Sequence, residues 1–146
     1  MFVVSRKQQI EMLRRVPLFS DLTRRELDQL ARTGRVVDHA EGRVVVTEGE
    51  KGVGFHLILD GEARVIKRDR TVAKLGAGEW FGEVSMIDGG PRTATVTAAT
   101  PLRTFGVPSW DFHPLLKSSP SITFKLLVTM CSRLRDAEKG KTAALM

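Results

Sequence analysis

The sequence predicts an α+β protein that is mainly β, in which an antiparallel β-roll or jelly roll lies between N-terminal helices and a long C-terminal helix. Two observations predict this class: apolar residues recur with a helical period near both ends, and short β-rich runs separated by glycine fill the middle. A chain of 146 residues, 42% of them apolar, is long enough for one domain with a core. Within this single domain, 1–146, we assign 1–33 to N-terminal helices, 34–108 to the β-roll, 109–139 to C-terminal helices and 140–146 to a tail.

Two helices are predicted in the N-terminal region. Residues 6–16 and 22–33 carry apolar side chains at helical spacing. Asp21 or Thr23 is predicted to cap the second helix, because each offers a side-chain oxygen just before the apolar run. Glu26 then completes a capping box with that residue.

The middle of the chain predicts β-strands. Short runs rich in β-branched residues are separated by glycines, and many short strands at even spacing are typical of an antiparallel barrel or jelly roll. The predicted strands are 35–38, 43–47, 54–59, 63–67, 71–75, 93–98 and 102–107.

Two further helices are predicted after the strands. Residues 109–117 form a short helix that Ser109 caps, and residues 121–139 form a longer one. Cys131 is predicted to be buried on the apolar face of the longer helix. Apolar residues at heptad spacing on that helix either dock on the β-roll or form the seam of a dimer. These residues are Leu127, Met130, Leu134 and Ala137.

The net charge of +6 is concentrated at the two ends of the chain. Residues 1–35 hold eight Lys or Arg against four Asp or Glu, and residues 114–146 hold six against two. The middle has a slight acidic excess. The basic ends are either solvated helix faces or a surface for an acidic partner such as nucleic acid.

Several classes of protein are not expected. No apolar stretch approaches the length of a membrane helix, and the single cysteine cannot form an internal disulfide, so a cytoplasmic protein without a membrane partner is expected. His39, His56 and His113 stand apart without metal-ligand spacing, which argues against a metal site and against a metal-dependent jelly-roll enzyme. No nucleophile–base pattern is present, so no catalytic residue is expected.

Residues 81–95, FGEVSMIDGGPRTAT, interrupt the strands with about one turn of helix and a Gly-Gly-Pro turn. Unpaired backbone N–H groups after Gly82 suit an anionic oxygen, and the Arg92 guanidinium can reach the same oxygen. Glu83 suits a sugar hydroxyl, and Thr93 adds a hydroxyl beside the arginine. An internal Glu83–Arg92 salt bridge is the structural alternative.

Phe81-Gly82-Glu83, followed at the right spacing by Pro91-Arg92-Thr93-Ala94, resembles the phosphate-binding cassette of the cyclic nucleotide-binding domain family. That family includes catabolite activator protein, protein kinase regulatory subunits and cyclic-nucleotide-gated channels. Residues 48–65 and 75–83 also resemble it. The resemblance implies an eight-stranded antiparallel β-roll, with the cassette at 81–94, that binds a cyclic nucleotide without chemistry on it.

The resemblance also implies residue roles. Arg92 would pair with the exocyclic oxygens of the cyclic phosphate, Glu83 would accept the ribose 2′-hydroxyl, and Arg133 would approach that glutamate from the long helix. Backbone N–H groups of the cassette and apolar side chains of two strands would complete the pocket. The expected ligand-binding residues are Phe81, Gly82, Glu83, Val84, Ser85, Arg92, Thr93, Ala94, Val65, Val72, Ala73, Leu75 and Arg133.

The expected ligand is cAMP, with no other cofactor. Thr93 stands where some relatives contact the guanine amino group, and Ala137-Glu138 replace a Thr-Ser pair that bacterial activators present to adenine, so cGMP stays open as an alternative. We expect a sensor that signals to an unknown protein effector through its C-terminal helix, with a homodimer through that helix possible. The other interpretation is an interaction or nucleic-acid-binding β-roll without ligand sensing.

The sequence also does not determine how the sensor would pass on its signal. Too few residues follow the long helix for a helix-turn-helix, so nucleic acid is not expected as a partner without an output domain. The sequence is equally compatible with a stand-alone sensor and with part of a longer protein.

Overall fold

The computed structural model describes residues 4–52 and 54–139, so the predicted tail lies outside the described residues. Five α-helices and one 3-10 turn are found in this part of the chain. The short turn, Pro17–Phe19, separates the first two helices. The helices are α1 (Arg6–Arg14), α2 (Arg24–Thr33), α3 (Glu83–Asp88), α4 (Ser109–Ser118) and α5 (Pro120–Glu138).

Eight strands in the described residues form two four-stranded antiparallel sheets, which confirms the predicted β-roll. One sheet has the order β1-β8-β3-β6 and the other β2-β7-β4-β5. The strands are β1 (Arg35–His39), β2 (Val44–Val46), β3 (Gly54–Asp60), β4 (Ala63–Lys67), β5 (Arg70–Leu75), β6 (Trp80–Phe81), β7 (Thr95–Ala98) and β8 (Leu102–Pro108).

All seven β-rich runs become strands, and the differences lie at their edges. Strand β6 has only two residues, too few for a period to be visible, and pairs with His56 and Leu57 of β3. Strand β7 begins at Thr95 rather than at the predicted residue 93. The backbone N–H of Arg92 donates to the Glu50 carbonyl at 2.8 Å, so the chain before β7 is bound to the β2–β3 loop and not to the sheet ladder.

Side-chain caps define the helix starts. Thr23 caps α2, because its hydroxyl accepts from the N–H of Glu26 at 3.2 Å while the Glu26 carboxylate accepts from the N–H of Thr23 at 2.9 Å. Asp21 instead accepts hydrogen bonds from Ser121 and Lys125. The prediction for Ser109 was wrong, since this residue is the first of α4 and the cap position is Pro108.

Two apolar clusters form the core. The first lies between the helices and the β1-β8-β3-β6 sheet, where Phe55 and Phe112 stack with ring centroids 4.9 Å apart. The second fills the space between the two sheets and includes Ile58, Val65 and Phe81. Burial of such side chains in both clusters holds the sheets and helices in one unit.

The long helix α5 covers the first cluster with one face only. Ile122, Leu126 and Arg133 are buried, whereas Leu127 and Leu134 are 54% and 48% exposed. Leu127, Leu134 and the exposed Ala137 of the heptad stripe therefore do not dock on the β-roll, whereas Met130 is half-buried. The predicted burial of Cys131 was wrong because that residue is exposed. Cys131 stands about 200° around the helix from Arg133, on the side away from the core.

Candidate ligand-binding site

The short helix α3 is enclosed by two glycines with left-handed backbone conformations. Gly82 precedes it with φ of 93°, and Gly89 follows it with φ of 75°. A Cβ atom at Gly82 would also lie 2.5 Å from Nη1 of Arg92 and 2.9 Å from the Gly54 carbonyl oxygen. Only glycine allows this conformation and this close approach together. The sequence between β6 and β7 therefore folds tightly around the arginine.

The Arg92 side chain is buried and is held by protein acceptors on two segments. Its Nη2 donates to the Gly54 carbonyl at 2.7 Å, and its Nη1 donates to Ser85 Oγ at 3.1 Å and to the Gly82 carbonyl at 3.3 Å. Its exposed fraction is 6%. Burial lowers the pKa of Arg92, and the nearby Glu83 carboxylate acts in the opposite direction. The guanidinium stays charged at neutral pH, so a positive charge is fixed inside the turn.

Glu83 and Arg133 form a buried ion pair between α3 and α5. Oε2 of Glu83 accepts from Nη1 of Arg133 at 2.5 Å, and Nη2 of the same arginine donates to the Trp80 carbonyl at 3.1 Å. Within the described residues, Oε1 of Glu83 is buried and has no hydrogen-bond partner. The predicted alternative of a Glu83–Arg92 salt bridge was therefore wrong, since the carboxylate pairs with the long-helix arginine.

Burial is the main influence on the charge state of Glu83. It raises the pKa of Glu83 to about 7, although Arg133 acts in the opposite direction by favouring the carboxylate. The carboxyl group can therefore change its charge near neutral pH. A group that can either donate or accept at Oε1 is suited to a hydroxyl partner.

An open cavity of about 650 Å³ adjoins Arg92. The cassette forms one side of it and the β4–β5 hairpin forms the other. Its volume is in the range of pockets that hold small organic ligands. The lining residues are Glu48, Gly49, Lys67, Arg68, Arg70, Val72, Asp88, Gly90, Pro91, Arg92 and Thr93.

A family model of the cyclic nucleotide-binding domain matches residues 36–119, which include the cassette and most of the β-roll. The chain belongs to the cyclic nucleotide-binding domain family. None of the α-helices in the described residues combines the length and the hydrophobicity that spanning a bilayer requires, and no group of three or more His, Cys, Asp or Glu side chains in this part of the chain is arranged to hold a metal ion.

Known proteins of this family align with most of the chain. It is 43% identical over 108 residues to a cAMP-dependent protein kinase regulatory subunit of Yarrowia lipolytica, covering 71% of this chain and 28% of that protein. It is 36% identical over 123 residues to a cyclic nucleotide-gated potassium channel of Rhizobium etli, covering 84% and 34%. The crystal structure of Thermus thermophilus catabolite activator protein matches with a TM-score of 0.76 and 28% identity, covering 85% and 61%. The chain thus spans about a third or less of the two curated relatives.

The cyclic nucleotide-binding domain places the expected site residues in two layers. Val72, Arg92 and Thr93 line the open cavity. Val84 is half-buried on α3, and Ser85 supports the arginine from the same helix. The remaining apolar residues, which were expected to line the pocket, do not line this cavity: they belong to the second core cluster, with Ala73 packed against it. They are Phe81, Ala94, Val65 and Leu75.

Sequence reasoning missed His56, which stacks on Phe81 with ring centroids 5.0 Å apart. Burial and the Arg92 charge lower the pKa of His56 to about 3, so the ring is neutral at physiological pH. It also missed the Gly54 and Trp80 carbonyls that hold Arg92 and Arg133. No local pattern marks these groups, because pairing of β3 with β6 brings them to the site.

Proposed function

We propose that this cyclic nucleotide-binding domain is a cAMP sensor that binds the cyclic phosphate at Arg92 and does no chemistry on it. The main support is that Arg92, whose buried guanidinium is held by the Gly82 carbonyl at the start of α3 and by the Gly54 carbonyl, also lines an open cavity. A guanidinium has five N–H donors, and acceptors within the described residues occupy three of those of Arg92. The other donors, together with backbone N–H groups in the first turn of α3, suit the exocyclic oxygens of a cyclic phosphodiester.

The unpartnered oxygen of Glu83 supports a ribose contact next to the phosphate. A buried polar atom without a partner is costly, and a ribose 2′-hydroxyl would satisfy Oε1. Arg133 occupies the other carboxylate oxygen, so the same glutamate would join ligand and long helix. Val72 and Thr93 would then face the rest of the nucleotide.

Signalling would follow from this junction. We propose that ligand binding shifts α5 toward the position in which Arg133 bridges Glu83 and the Trp80 carbonyl, because that contact links the helix to the cassette. The exposed apolar stripe of α5 supports a homodimer through this helix. A protein effector would sense the change in α5. The exposed thiol of Cys131 is compatible with a reducing cytoplasm.

The choice of cAMP rests on the cAMP-dependent kinase subunit, the relative with 43% identity. Thr93 lines the cavity, so a contact with the guanine amino group keeps cGMP as the alternative ligand. The two nucleotides differ only in the base, which the Arg92 and Glu83 contacts do not reach.

Calorimetry tests the proposal directly. Titrations with cAMP, cGMP and 5′-AMP are expected to give saturable binding of a cyclic nucleotide and weaker binding of 5′-AMP, which lacks the cyclised phosphate. Arg92→Ala is expected to weaken cyclic nucleotide binding at least about 30-fold, or about 2 kcal/mol. Arg24→Ala on the exposed start of α2 is the control. Unchanged affinity of the Arg92 variant would refute the assigned role.

A further inference from the structure

The turn that joins β4 to β5 has an unusual sequence for its geometry. Arg68 and Asp69 connect the paired residues Lys67 and Arg70, with φ of 50° at Arg68 and 65° at Asp69. Two-residue turns with two positive φ angles favour Asn and Gly, because other side chains meet a steric penalty there. Turn formation therefore does not explain why an arginine is found at this position.

Hydrogen bonds hold the turn at the edge of the ligand cavity. The backbone N–H of Arg68 donates to Glu48 Oε1 at 3.2 Å, and the N–H of Glu48 donates to Thr95 Oγ1 at 2.9 Å. This connects the hairpin to β7, the strand that follows the cassette. Arg68 and Arg70 consequently line the same cavity as Arg92.

The two hairpin arginines are exposed, and within the described residues their side chains form no ion pair. The cavity lining as a whole carries four cations against the carboxylates of Glu48 and Asp88. A cyclic nucleotide carries a single negative charge at its phosphodiester, which Arg92 already matches. Residues 68–70 also include the exposed carboxylate of Asp69 between the two arginines, so their net contribution is one positive charge in addition to the cation that Arg92 supplies.

We infer that Arg68 and Arg70 form an outer capture site that draws the anionic nucleotide into the cavity and sets its association rate. This inference rests on the proposed function. Exposed charges at the rim of a site change association and its salt dependence, whereas buried charge pairs govern dissociation. The hairpin arginines therefore raise the association rate through long-range attraction, and Arg92 determines the dissociation rate.

Stopped-flow binding of cAMP labelled with a fluorophore at C8 tests the inference. Wild type, Arg68→Gln/Arg70→Gln and the control Arg24→Gln/Arg25→Gln are compared at about 10 mM and about 1 M ionic strength, where charges act over about 30 Å and about 3 Å. Both double variants remove two exposed positive charges. We expect the hairpin variant to associate at least about 5-fold more slowly at low salt, with an unchanged dissociation rate and no difference at high salt.

Each of the following results would overturn the inference. The control variant could slow association as much, which would indicate an effect of net charge alone. The hairpin variant could associate at the wild-type rate, while wild type still binds the probe, which would refute capture and leave the proposed function intact. A slower association that persists at high salt, or a faster dissociation, would indicate direct contact instead. Failure of wild type to bind the probe would overturn both.

Discussion

Replacing Arg133 with methionine removes one partner of the buried pair between α3 and α5. The Glu83 carboxylate is fully buried, and this arginine is its cationic hydrogen-bond partner. Breaking a buried ion pair from one side costs about 3–5 kcal/mol when the remaining group is charged, whereas loss of the hydrogen bond from a charged arginine to a protonated carboxyl group costs about 1.5–3 kcal/mol. The cost of Arg133→Met therefore depends on the protonation of Glu83.

The pKa of Glu83, raised by burial to about 7, sets the direction of this dependence. The stabilisation from a raised carboxyl pKa is complete below the unfolded value of 4.5 and is lost as the pH rises through 7. Without Arg133 the folded pKa rises further, so the variant loses additional stability above pH 7. We expect Arg133→Met to reduce the free energy of unfolding by about 2 kcal/mol near pH 5.5 and by about 3 kcal/mol near pH 8, because one pH unit above a pKa of about 7 adds at most about 1.4 kcal/mol.

Urea unfolding followed by circular dichroism at the two pH values measures this difference. Arg135→Met, an exposed neighbour on α5, is the matched control and is expected to change stability little at either pH. In the Glu83→Gln background, which has no titrating carboxyl, the pH dependence of Arg133→Met should disappear. An equal loss at both pH values, or a pH dependence that survives Glu83→Gln, would show that the protonation of Glu83 does not set the cost of Arg133→Met.

Three further predictions follow from the cassette and the long helix. Gly82→Ala should weaken cAMP binding in calorimetry, because its Cβ would overlap Arg92, whereas Gly89→Ala, with a positive φ but open space around it, should cost stability and leave affinity nearly unchanged. Hydrogen exchange of residues 120–138 should slow when cAMP is added, and unchanged exchange would contradict the proposed movement of α5. Leu127→Ser/Leu134→Ser should shift sedimentation from dimer to monomer, and wild type that sediments as a monomer would exclude the α5 dimer.

Local signals in the sequence were sufficient for most of the fold. Glycine-separated runs identify seven strands, and the capping box of Thr23 and Glu26 identifies the start of α2. These signals work because each depends on residues a few positions apart. The short strand β6 carries too few residues for such a signal and is defined by its partner β3.

The site residues likewise divide into those that a local motif predicts and those that only the folded structure brings together. The cassette motif places Arg92 and Glu83 in one turn, but the two groups do not pair with each other. Arg92 donates hydrogen bonds to carbonyl groups and to Ser85, and Glu83 is paired with Arg133, 50 residues away. Only the family resemblance pointed to Arg133. The exposure of Cys131 could not be predicted from the sequence. Helical spacing defines an apolar face, but it does not determine how much of that face other elements cover.

A crystal structure of the protein with cAMP is the most direct test of the cassette as a cyclic-phosphate site. The proposed binding mode places the exocyclic oxygens within hydrogen-bond distance of the Arg92 guanidinium and the first N–H groups of α3, with the ribose 2′-hydroxyl on Glu83 Oε1. A nucleotide bound elsewhere, or a phosphate that makes no contact with Arg92, would contradict it.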